Sequence, residues 1–132
     1  MPIERIRPEG LVHSPAFSHV AVVPAGATTI YVGGQNSVAA DGSLVGEGDV
    51  AAQSTRALEN VRIALAAAGA TIEDVVQWTV LFVDGVDLAA AYGAIASELA
   101  SDEPALVTGA RVAGLGVPGA LVEIGAIAAV LR

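Results

Sequence analysis

The chain has 132 residues, enough for one domain with a sizeable core. More than half of them are hydrophobic (54%) but only 4% are aromatic, so the core must be built from small aliphatic layers. Six arginines stand against fourteen acids, with no lysine and no cysteine; the net charge of −8 disfavours phosphate backbones, and disulfides, thiol catalysis and lysine Schiff bases are excluded.

Residues 1–15 hold three prolines and read as a strand start followed by a loop. The opening Met1–Arg5 is too charged for the apolar core of a secretion signal. No segment reaches the ~18 uninterrupted apolar residues of a membrane span. A cytoplasmic protein is expected, with no membrane and no nucleic-acid partner. His19 to Val23 and Thr29 to Gly33 are apolar, β-branched runs around Pro24-Ala25-Gly26-Ala27, a hairpin signal. Asp41-Gly42 marks a turn, and Gly46 and Gly48 prolong the loop.

Asp49 is placed to cap a helix whose apolar face is Ala57, Leu58, Val61, Leu65 and Ala68, with Gly69 just beyond its end. Glu73-Asp74 lead into a strand, Val75 to Val83. There Val76, Trp78, Val80 and Phe82 share one face, and Val75, Gln77, Thr79 and Leu81 the other. Asp87 can cap a second helix with the face Leu88, Tyr92, Ile95 and Leu99. Ala105 to Val112 reads as a strand, 114–119 as a loop, and Ala120 to Leu131 as a long final strand. The expected fold is a single α+β domain over residues 1–132: a mostly antiparallel sheet with two helices on one face. The last strand is apolar on both parities, so the face without helices must be covered by neighbouring subunits.

A few residues stand out against this background. Gly33-Gly34-Gln35 sits at a strand end, where glycines serve a bulge or a turn of positive φ. Glu123 interrupts an apolar strand between Val122 and Ile124, where a lone carboxylate needs a partner or water. In the simplest hairpin register Arg111 lies across from it, as a structural pair or as an anion-binding group. His13 and His19 have no acidic cluster or cysteine nearby, so no metal is expected. No cofactor motif appears. The Met-Pro-Ile start resembles the 4-oxalocrotonate tautomerases, but the rest of the chain does not.

Taken in order, Gly33-Gly34-Gln35, the run Gln53 to Val61, Ala67-Ala68-Gly69-Ala70, Pro104-Ala105 and the tail Leu121 to Ala128 closely resemble the RidA (YjgF/YER057c/UK114) family of enamine/imine deaminases. The resemblance spans roughly residues 15 to 131. It implies a RidA/chorismate-mutase-like fold with a six-stranded sheet, a homotrimer, and a small-molecule pocket at each subunit interface, without a cofactor. It implies that Glu123 orients the water that attacks the imine carbon and that the Gly34 carbonyl faces the substrate nitrogen. Gly33 stands where relatives carry serine, and Phe17 where they often carry tyrosine. Tyr92 matches a helix tyrosine, more structural than catalytic. Gly125 stands where active relatives often have a second glutamate. Anchored on Pro104-Ala105, Leu106 and Thr108 match an arginine and a cysteine. Threonine keeps the cysteine's backbone N–H, but leucine cannot replace a guanidinium that grips a carboxylate. Some relatives carry an endoribonuclease label, which this charge pattern does not support. Three functions remain open: imine or enamine hydrolysis on something other than standard 2-imino acids, a non-catalytic binding or sensor trimer with the same pocket, and an accessory to a neighbouring pathway enzyme that handles an enamine without a carboxylate.

Overall fold

The computed structural model describes residues 2–132. Its strands are β1 (Glu4–Ile6), β2 (Val20–Val22), β3 (Thr28–Gln35), β4 (Val75–Val83), β5 (Leu106–Val112) and β6 (Val122–Val130). The helices are α1 (Val50–Ala67), α2 (Leu88–Gly93) and α3 (Ala96–Leu99). The expected α+β class holds, but the six strands divide into two sheets. A four-stranded sheet runs β3-β6-β4-β5, and β1 pairs only with β2.

The expected hairpin between the β2 and β3 segments is therefore absent: β2 pairs antiparallel with β1, and β3 with β6. The β5–β6 hairpin is absent too. β4 lies between them, parallel to β5 and antiparallel to β6. A parallel pair needs a crossover rather than a tight turn, and α2 with α3 supplies it. β3 and β4 flank β6, both antiparallel to it, with α1 as their crossover. Right-handed crossovers put all the helices on one face of the sheet.

Helix α1 forms where the spacing predicted. Asp49 accepts a hydrogen bond from the Ala52 amide at 3.0 Å, and Gly69 at φ +74° ends the helix while the Ala70 amide returns to the Leu65 carbonyl. Ala57, Leu58, Val61 and Leu65 are fully buried, whereas Ala68 is only half-buried. They pack on Trp78, Val80 and Phe82 of β4 and on Val122, Ile124, Ala126 and Ala128 of β6. The register shifts between Val75 and Gln77, so Val75 joins this core and Val76 does not. That bulge breaks the strict alternation expected for the strand.

The second helix is not continuous. Asp87 caps it, accepting from the Ala90 amide at 3.1 Å, but it breaks after Gly93 and resumes at Ala96. Glycine weakens a helix interior by about 1 kcal/mol, and a segment this short is marginal as a helix even when it is rich in alanine.

Candidate functional site

Glu123 follows Val122, whose side chain is fully buried under the helices. Alternation turns Glu123, Gly125 and Ile127 to the opposite, open face of the sheet. Across that face, Glu123 pairs with Leu81 of β4, and Leu81 in turn with Ala110 of β5. Tyr31 of β3 faces the same way and is 77% exposed. Within one chain, this face carries a half-buried carboxylate on an uncovered apolar surface.

Gly33 and Gly34 lie in a bulge of β3, where the register with β6 shifts between Val32 and Gln35. Neither has a positive φ, so handedness is not why glycine stands at Gly34. Close approach is the reason. A Cβ on Gly34 would lie 2.5 Å from Glu123 Oε2 and 2.6 Å from its Cδ. A Cβ on Gly125 would meet only ordinary contacts, the nearest being the Val32 carbonyl oxygen at 3.6 Å, so a side chain fits there.

The backbone around Glu123 and the bulge is held by polar residues that sequence reasoning passed over. Asn36 donates to the Val122 carbonyl at 3.0 Å, locking the chain after the bulge to the residue before Glu123. Asn60 on α1 donates to the Asn36 and Val38 carbonyls, each at 2.9 Å, and accepts from Arg56 at 3.0 Å. Gln53, fully buried, donates to the Gly46 and Gly119 carbonyls and accepts from the Leu121 amide at 2.8 Å. It thereby fixes the entry to β6. The only signal was their place on a helix: Gln53, Asn60 and the buried Ser54 interrupt an otherwise apolar flank of α1.

Leu106 and Thr108 also face the open side, since Val107 between them packs into the core. They do not meet Glu123 within the chain. Leu106 pairs with Gln77, whose other neighbour is Ile127, four residues along β6 from Glu123. Two strand spacings and four residues amount to roughly 16 Å.

Arg111 is not paired with Glu123, contrary to the hairpin register. It pairs across β5 with Phe82, a core-facing residue, so it lies on the helix side of the sheet. Its guanidinium reaches the Val86 carbonyl at 3.5 Å. Among the described residues, ion pairs join Arg62 to Glu59 and Glu98 and none involves Glu123. The other arginines are engaged elsewhere too: Arg5 on the Glu73 and Val75 carbonyls, Arg7 on those of Ser14 and Asp102, Arg56 on Asn60 and Arg132 on the Ala68 carbonyl. No guanidinium of the chain stands over the open face beside Glu123.

Phe17 and Tyr92, two further expected ligand contacts, fall on the other side of the sheet. Both line a cavity between β5, the α2–α3 segment and the 15–17 loop. The Tyr92 ring packs edge-on against Phe82 at 5.1 Å, and burial raises its hydroxyl pKa above the ordinary value. The expected set thus divides between two faces: Gly34, Glu123, Leu106 and Thr108 on the open one, Phe17, Tyr92 and Arg111 on the helix side. No group of three or more histidines, cysteines and acids able to hold a metal occurs among the described residues. Among the described residues, no helix is long and apolar enough to cross a membrane.

Comparison with known proteins agrees with this architecture. The family model described as Endoribonuclease L-PSP matches residues 11–130. A Rid-family protein of unknown function from Yersinia pestis, YyfB, is 32% identical with a TM-score of 0.84, the match covering 98% of this chain and 100% of that one. Rv2704 of Mycobacterium tuberculosis, from the YjgF/YER057c/UK114 family, is 30% identical over 86% of each chain, with a TM-score of 0.64. RidA from the Antarctic bacterium Psychrobacter is 27% identical over 96% of this chain and 94% of its own, with a TM-score of 0.69. With one family model spanning nearly its whole length and Rid proteins among its structural neighbours, the chain belongs to the Rid (YjgF/YER057c/UK114) family.

Proposed function

We propose that this protein is a hydrolase of small enamines or imines, acting in a pocket completed by a second copy of the chain within a homotrimer, on substrates that lack the carboxylate of a 2-imino acid. The observation that carries the reading is the Glu123 carboxylate, held against Gly34 on an open sheet face with no arginine beside it. The separation of Leu106–Thr108 from Glu123 supports a composite pocket: a small ligand can touch both only when two subunits supply them. The uncovered apolar face around Tyr31 and Ile127 supports the association.

The chemistry asks little of the protein. Glu123 accepts a proton from a water molecule as the water oxygen attacks the C=N carbon. That proton passes to nitrogen; Glu123 then takes the proton of the adduct's hydroxyl as C=O forms and the C–N bond breaks, and returns it to the departing nitrogen, which leaves as ammonia. An enamine first tautomerises to the imine, its N–H proton moving to the β carbon. Orientation and a fixed carboxylate suffice for such a step. Leu106 offers an apolar contact where an anion clamp would otherwise sit, and a buried carboxylate without a cation beside it is disfavoured.

The test combines assembly and turnover. Sedimentation should give a particle of about three times the 13.1 kDa chain. Imines generated in place by an amino-acid oxidase, with semicarbazide trapping, should turn over slowly, and Leu106→Arg should raise that rate at least tenfold. Neutral enamines should be hydrolysed in a manner abolished by Glu123→Gln. A monomer at micromolar concentration would overturn the composite pocket. Saturable binding of neutral enamines without turnover would replace the enzyme by a binding trimer.

A further inference from the structure

The cavity on the helix side is a cleft of about 710 Å³, open to solvent along Pro15, Ala16, Ala96 and Ala100 and within the size range of small-molecule sites. It exists because no large side chain descends into it. α2 stops at Gly93 and α3 opens with Ala96, and Ala96, Ala100, Ala105 and Gly109 leave the outer half of β4 and β5 thinly covered. Apolar walls left open to water in this way gain when an apolar ligand covers them.

Its lining is selective. Phe17, Trp78 and Tyr92 are three of the five aromatic residues in the chain, and no charged side chain is among the lining residues. Trp78 is 3% exposed, and neither its indole nitrogen nor the Tyr92 hydroxyl is among the side-chain polar atoms buried without a partner. Gly109 admits the tyrosine: a Cβ there would lie 2.8 Å from the Tyr92 hydroxyl oxygen. A smaller adjoining hollow shares Trp78, Leu99, Ala100 and Ala105 and is rimmed by Glu73, Glu98 and Glu103. Its one cation, Arg5, is already engaged by the Glu73 and Val75 carbonyls.

We propose that this helix-side cavity is a second ligand site, separate from the Glu123 face, for a neutral molecule with an aromatic or compact aliphatic body and one polar group that hydrogen-bonds to Tyr92. The apolar walls supply the affinity through buried area, and the aromatic faces favour a planar ring. The Tyr92 hydroxyl gives orientation, as donor or acceptor. Anions are excluded twice, by the desolvation of a charge against uncharged walls and by the acids around the adjoining hollow.

The single tryptophan lines the cavity, so its fluorescence reports occupancy directly. Nitrobenzene, a neutral quencher with an acceptor group, should quench Trp78 saturably. 4-Nitrobenzoate, the same ring carrying a carboxylate, should bind at least tenfold more weakly. Ala96→Leu, at an exposed position on the cavity wall, should narrow the hollow, keep the melting temperature and weaken saturable quenching several-fold. Gly109→Ala, which displaces the Tyr92 hydroxyl, should weaken nitrobenzene several-fold. Glu123→Gln should leave it unchanged, which separates this site from the one on the sheet face. Quenching that stays linear in nitrobenzene, that is unchanged by Ala96→Leu in a folded protein, or that disappears with Glu123→Gln would overturn the proposal.

Discussion

Gly34→Ala is a sharp probe of how Glu123 is held. Gly34 has an ordinary backbone conformation, so alanine introduces no strain of handedness. The added Cβ meets Glu123 Oε2 at 2.5 Å, Cδ at 2.6 Å and Cγ at 2.8 Å, where ordinary contact begins at 3.4 Å. The carboxylate must therefore retreat by about 1 Å. Because the obstacle is the far end of a flexible side chain, the strand need not move. An off-rotamer glutamate costs about 0.5–1.5 kcal/mol. A carboxylate displaced by that distance should lose about 10²-fold in any reaction whose water it orients.

Thermal melting of four proteins isolates the contact: wild type, Gly34→Ala, Glu123→Ala and the double variant. Gly34→Ala should lower stability by about 1 kcal/mol in the wild-type background. In the Glu123→Ala background it should be neutral or stabilising by about 0.5 kcal/mol, because the clash is gone and alanine stiffens the unfolded chain. An equal loss in both backgrounds would show that Gly34 is required for some reason other than Glu123. Imine or enamine hydrolysis, measured on the same four proteins, should fall far more than stability does in Gly34→Ala; activity close to wild type would remove Glu123 from the reaction.

Arg111→Met should change stability by less than about 0.5 kcal/mol in a denaturant melt, because the exposed guanidinium makes one long hydrogen bond to Val86 and no ion pair. Gln53→Leu should cost about 2 kcal/mol in the same assay, since it strips two part-buried carbonyls and the Leu121 amide of their partner. The folded-state pKa of Tyr92 lies above its unfolded value. The stability this contributes is fully present below about pH 10 and is lost as pH rises through the folded value. Tyr92→Phe should therefore flatten the alkaline fall in a melting-temperature profile.

Local features of the fold were legible and pairings between distant segments were not. The α1 face could be read because a 3.6-residue period leaves its apolar residues at fixed intervals, and Asp49 and Gly69 act on their own neighbours. Strand partners are a different matter. The Gly114–Gly119 loop looks like a hairpin connection, and nothing in it tells that β4 inserts between β5 and β6. The error propagated to the site, because Arg111 and Glu123 face each other only if their strands pair. The break in the second helix was written in Gly93, but the periodic face from Leu88 to Leu99 masked it. Gln53 and Asn60 were invisible as positioning residues because their carbonyl partners come from loops whose path depends on the whole fold.

The placement of charge bears on what the open-face pocket can select, under the reading proposed for it. All six arginines are engaged by carbonyls, side chains or acids away from Glu123, and the chain carries a net charge of −8. An anionic substrate would approach a repulsive field and then meet Leu106 instead of a guanidinium. A neutral enamine meets neither obstacle, and its nitrogen gains positive charge when it is protonated ahead of C–N cleavage, which the Glu123 carboxylate favours. The rate for neutral enamines should accordingly depend little on salt, whereas the slow turnover of 2-imino acids should rise with ionic strength as the repulsion is screened. Imino-acid turnover that instead falls with added salt would require a cation at the pocket, brought by the partner subunit, and would remove the argument from charge.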